Sequence, residues 1–123
     1  MQLRAKNVRA PVSSTDGERL WLSRVRPRNG AAQLDGWERE LAPSTKLDFA
    51  LWRHWITARE HAALFVAEMW SHAPQLRALG QRATLHPVTL VCACTEPSRC
   101  RCNLVVALVA RLCKTRSALT TAR

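Results

Sequence analysis

Hydrophobic and polar positions alternate weakly over residues 3–9 (LRAKNVR) and more firmly over 18–25 (ERLWLSRV). In the second run Leu20 and Leu22 fall on one face and Trp21, Ser23 and Val25 on the other, the period of a strand. Between the two, Pro11, Ser13, Ser14 and the Asp16-Gly17 pair are turn chemistry. Pro27 and Gly30 then place residues 26–30 in a loop. The spacing of Leu34, Trp37 and Leu41 predicts a short helix over 34–41. Pro43 ends that segment, and Ser44 caps a helix from Lys46 to Trp55. A longer helix is expected from Ala58 to Ser71, burying Ala62, Phe65, Met69 and Trp70. Pro74 interrupts it, and a last turn or two reaches Leu79 before Gly80. Residues 88–93 (VTLVCA) are apolar on both faces, the mark of a central, covered strand. Residues 99–113 are apolar nearly all round, which predicts a helix buried against the sheet. The remainder, 115–123, reads as a basic, frayed tail. The order of elements predicts a single small α/β domain over 1–114, with about three strands in a mostly parallel sheet covered by four or five helices.

Composition narrows the function without naming it. The 123 residues suit one domain, and 47% hydrophobic content is that of a globular chain. Nineteen basic residues oppose nine acidic ones, for a formal charge of +10. The excess sits at the two ends: residues 1–30 and 91–123 each carry a net +5, while the middle is nearly neutral. An acidic partner is therefore expected, either a small anion or a nucleic acid. The longest uninterrupted apolar run, Leu104 to Ala110, is too short to span a bilayer. Met1 to Val12 has no apolar core, so a secretion signal is not expected there. Five cysteines without such a signal point to a reducing, cytoplasmic setting, with the cysteines as thiols or metal ligands.

Two local readings of chemistry follow. If Ser98 caps the last helix, Arg99, Cys100 and Arg101 occupy its first turn, where free N–H groups and the helix dipole attract anions. Arg24, Arg26 and Arg28 leave the second strand and converge on the same edge if that strand is parallel to the 88–93 strand. The expected site is thus an anion site for a phosphate or nucleotide-like ligand, built from Arg24, Arg26, Arg28, Arg99, Cys100 and Arg101. It requires no cofactor. In the plainer reading these arginines are solvated and pair with Asp35, Glu38 and Glu40.

The alternative is a zinc staple. Cys92, Cys94, Cys100 and Cys102 give C-x-C-x5-C-x-C, four thiolates within eleven residues. Cysteines two apart on a strand lie about 6.5 Å apart on one face, but two apart on a helix they diverge by about 200°. All four converge only if Cys94 and Cys100 lie outside regular structure. In the plainer reading Cys92 and Cys113 are buried small hydrophobes. A nucleophilic thiolate at Cys94 or Cys100 is a further reading. The phosphatase spacing C-x5-R fails, since Cys100 stands six after Cys94, and the C-x4-R spacing to Arg99 encloses no glycine. The histidines form no ligand pair. Trp21, Trp37, Trp52, Trp55 and Trp70 read as core, with base stacking as the alternative.

The order RVRPRNG (24–30), WERELAPS (37–44), a Phe65-bearing helix, VTLVCAC (88–94) and a final helix resembles the YeaO-like bacterial family of unknown function, domain family 488. Leu41-Ala42-Pro43-Ser44 matches that family's pattern without change. Ser23 and Arg26 stand where the family has aspartate and tryptophan, and Cys100-Arg101-Cys102 where some relatives have Cys-His-Arg. The resemblance covers roughly residues 3–113 and implies the family's fold. The family has no firmly assigned activity to lend.

Overall fold

A computed structural model describes residues 1–27, 33–94 and 100–121, those beyond 113 by backbone alone. Four strands form one parallel sheet: β1 (Leu3–Asn7), β2 (Glu18–Trp21), β3 (Gly36–Trp37) and β4 (Val88–Cys92), in the order β1-β4-β2-β3. Helices α1 (Thr45–Trp52), α2 (Ala58–Trp70), α3 (Ala73–Leu85) and α4 (Arg101–Thr121) complete the α/β domain. A 3-10 turn, Ser14–Asp16, precedes β2.

β4 is central, as its unbroken apolar character requires, with β1 and β2 in register on either side. Its alternate residues serve two faces. Val88, Leu90 and Cys92 join Leu20, Phe65, Met69, Leu76, Val105 and Val109 in the main core. Thr89, fully buried, belongs to the opposite set and donates its hydroxyl to the Asp16 carbonyl at 2.7 Å. That side is closed by charge: the Asp16 carboxylate accepts from Lys6 Nζ at 2.9 Å and Arg19 Nη1 at 2.5 Å. Gly17 makes the approach possible. Its φ is +66°, and an added Cβ would stand 2.1 Å from the Pro87 carbonyl oxygen.

Several boundaries differ from the pattern along the chain. Residues 34–41 are not helical. Asp35 N–H donates to the Arg19 carbonyl and Glu38 N–H to the Trp21 carbonyl, drawing the backbone out as β3. Gly36 weakens a helix there, and an added Cβ would lie 2.9 Å from Leu20 Cδ2. β2 stops at Trp21 rather than continuing to Val25, because the chain bends at residues 23–25 and Trp21 Nε1 donates to the Val25 carbonyl. α3 is a full helix running through Gly80 to Leu85. Pro74 sits in its first turn, where no donor is needed. Gly80 is tolerated because α4 packs against it, with Cys113 Sγ 2.6 Å from where a Cβ would be. α4 starts at Arg101 and continues beyond Lys114 to Thr121.

The tryptophans are not core. Trp37, Trp52, Trp55 and Trp70 are exposed and Trp21 is half-buried, so the interior is filled by leucine, valine, Phe65 and Met69.

Candidate functional site: a cysteine cluster where the central strand meets the last helix

Parallel pairing brings the carboxyl ends of β1, β2 and β4 to one edge of the sheet, and α4 begins there. Cys92 is the last residue of β4 and faces the core beneath α4. Cys94 and Cys100 both lie outside regular structure, which meets the condition for convergence. The Cys92, Cys94 and Cys100 sulfurs lie within 4.8 Å of one another, with Cys92 and Cys100 at 3.3 Å. Cys102, fully buried in the first turn of α4, stands outside this mutually close group, so three of the four cysteines converge. The fifth cysteine, Cys113, is apart from them on α4 beside Gly80.

Backbone N–H groups turn toward the sulfurs. Cys94 N–H serves Cys92, Arg101 N–H serves Cys94, and Asn103 N–H serves Cys100. The thiols divide accordingly. Thiol donors on Cys102 and Cys94 pull Cys92 far down. Cys102 likewise draws Cys100 down to about 7, with burial opposing and the Asn103 amide assisting. Donation to Cys92 and burial push Cys94 up. Donation to Cys100 and Cys92, together with burial, pushes Cys102 up. Two of the four sulfurs, Cys92 and Cys100, are thus favoured as thiolates, and Cys94 and Cys102 as thiols.

The family model described as DUF488-N3a, the active DUF488-N3 subclade, matches residues 3–112 and so spans every strand and the cysteine cluster. The chain belongs to the DUF488 family. It is also similar to the uncharacterized protein YeaO of Escherichia coli (strain K12), 29% identical over 94 residues that cover 74% of this chain and 82% of that protein. No solved structure matches.

In this DUF488 chain the described arginines of the expected anion set, Arg24, Arg26 and Arg101, have different surroundings. Arg24 donates from Nε and Nη2 to the Ala42 carbonyl at 3.2 and 3.1 Å, and from Nη2 to Glu40 at 3.4 Å. It thereby holds the Leu41–Ser44 motif, which Glu68 grips from the other side through Ser44 N and Oγ. Arg26 is exposed. Arg28 and Arg99 lie outside the described residues. Arg101 reaches Asp48 Oδ2 at 3.3 Å, and that carboxylate also meets His61 Nε2 at 2.8 Å.

Two cavities flank the cluster. One, about 250 Å³, is lined by Ala5, Lys6, Asn7, Cys92, Cys94, Cys100 and Asn103. The other, about 160 Å³, is lined by Trp21, Leu22, Ser23, Cys92, Ala93, Cys94 and Arg101. Cys92 and Cys94 border both. Asn7 escaped the sequence reading: its side-chain N–H donates to the Cys94 carbonyl at 2.5 Å and fixes that turn. Its only signal is its place at the end of β1, opposite Cys92 in register. The Asp48–His61 support of Arg101 left no sequence signal, because its partners come from three helices.

Proposed function

We propose that this DUF488 domain holds a soft divalent metal, zinc, in a thiolate centre made by Cys92, Cys94 and Cys100 with Cys102 behind them. The observation that carries this reading is the mutual approach of three sulfurs to within 4.8 Å. Zinc–sulfur bonds of about 2.3 Å put tetrahedral ligands about 3.8 Å apart, inside the 3.3–4.8 Å range of the cluster. N–H donors on three of the four sulfurs are the supporting contacts that thiolate ligands require. With four sulfurs bound, the metal staples β4 to α4 and closes the loop between them. With Cys102 unbound, one position faces the flanking cavities and is available to a ligand.

Metal analysis of protein purified under reducing conditions, without added metal, decides the matter. About one zinc per chain is expected, with the four thiols protected until denaturation, and C92S or C100S should lose the metal. A metal-free protein with freely reactive thiols would overturn the reading.

A second reading keeps the small anionic ligand, with Arg101 as its anchor. It is favoured by the 160 Å³ cavity, which Arg101 shares with Cys94 at the carboxyl end of the sheet. A screen of phosphate esters by thermal shift tests it, with stabilisation by a ligand expected to vanish in R101A. No helix among the described residues is long and apolar enough to cross a membrane, and the thiol-rich centre fits a reducing cytoplasm.

A further inference from the structure

The corner between α1 and α2 exposes more aromatic surface than packing explains. Trp52 and Trp55 are 71% and 65% exposed, and Phe49 is half in solvent between them. Phe49 joins the two indoles, its ring 5.8 Å from Trp52 and 5.5 Å from Trp55, the second pair at 81°. The Arg53 guanidinium stands over the Trp55 ring at 5.6 Å. Lys46, Arg53, His54 and Arg59 are exposed on the same stretch. Its two acids are engaged, Glu60 while remaining exposed and Asp48 half-buried. Asp48 is taken by His61 and Arg101, and Glu60 accepts the Thr57 N–H of its own capping box. The outward surface thus pairs three aromatic rings with Lys46, Arg53 and Arg59, against the single exposed acid Glu60.

We propose that this corner binds single-stranded nucleic acid, with unpaired bases stacking on Trp52 and Trp55 and phosphates meeting Lys46, Arg53 and Arg59. Every base has a π-face, so exposed rings accept bases without sequence preference, and adjoining cations hold the backbone. A duplex hides those faces and gains only the charge. An apolar protein partner would leave this cationic rim facing no anion. The site is independent of the thiolate centre. Beside it, a cavity of about 160 Å³ is lined by Asp48, Leu51, His61 and Arg101, among others, and Arg101 also lines the cavity at Cys94.

The test is fluorescence anisotropy of the full chain with labelled dT12 and rU12, and with a hairpin duplex of equal length. Micromolar binding of both single strands is expected, weaker for the duplex, with a log–log salt slope of about −2 for three phosphate contacts. W52A and W55A, changes to exposed side chains, should each weaken binding about tenfold. Binding at room temperature should be the same with and without a chelator under reducing conditions, which separates this site from the metal centre. Equal binding of the duplex, a W52A/W55A double variant that binds like the parent, or no binding at 50 mM salt would overturn the proposal.

Discussion

Asp16 shows how one buried side chain sets an acid limit on the fold. The Lys6 ammonium holds its carboxyl at about 2, below the ordinary 3.8, against the opposing effect of burial and with help from Ser13 N–H and Arg19. A depressed carboxyl contributes stability that is complete above its unfolded value and fades as it protonates in the folded state. Thermal midpoints should therefore hold steady down to about pH 4 and fall between pH 4 and 2. In D16N that part of the acid dependence should be missing, and stability at neutral pH should drop, because Arg19 loses the carboxylate opposite its buried guanidinium. A variant whose midpoint follows the parent's curve from pH 4 to 2 would show that Asp16 does not set the limit.

At the level of elements, the connections into strands and helices are set by a few residues whose replacement has calculable costs. Gly17 combines a positive φ with contact against Pro87, so G17A should cost at least about 2 kcal/mol in denaturant unfolding. Thr57 accepts the Glu60 N–H and opens α2 with a reciprocal capping box, and T57A should cost about 1 kcal/mol. Equal costs would mean that the Gly17 turn relaxes freely. Caps of this kind were legible in the sequence, since Ser44 begins α1 as its position before an apolar run implies. So was the central strand, because VTLVC has no polar face to turn outward. β3 was not legible. A two-residue strand is defined by the backbone groups of Arg19 and Trp21 that it satisfies, and side-chain periodicity carries no trace of that. Trp37 then matched a helical spacing while in fact donating its indole N–H to the Ser23 carbonyl from the surface. The length of α3 was hidden by Gly80, whose role depends on α4 arriving from the far end of the chain. The cysteines occupy a middle position. Their spacing stated the condition for convergence, but only the fold placed Cys94 and Cys100 where it is met.

For the molecule as a whole, the proposed metal centre and the sheet would act as one unit, because its sulfurs stand at the end of β4 and just before α4. Zinc at a thousandfold excess over its dissociation constant would add about 4 kcal/mol. Stripping it with a chelator under reducing conditions should lower the thermal midpoint by about 12–20 °C for a domain of this size. The helical circular dichroism should survive at room temperature, since Phe65, Met69 and Leu76 build their contacts without the metal. An unchanged midpoint would assign any bound zinc to the surface. The strand order also has a bearing on how the chain comes to be folded as it is made. β1 pairs with β4, Leu3 opposite Val88, and β2 pairs with the other edge of the same strand. At about 5–20 residues per second, β1 spends about 4–17 s after its own synthesis before its partner is translated. During that interval its donors and acceptors, and one edge of β2, face whatever else is in reach. A nascent chain released before Cys92 lacks the strand that joins β1 to β2, so the sheet closes only once β4 has been made.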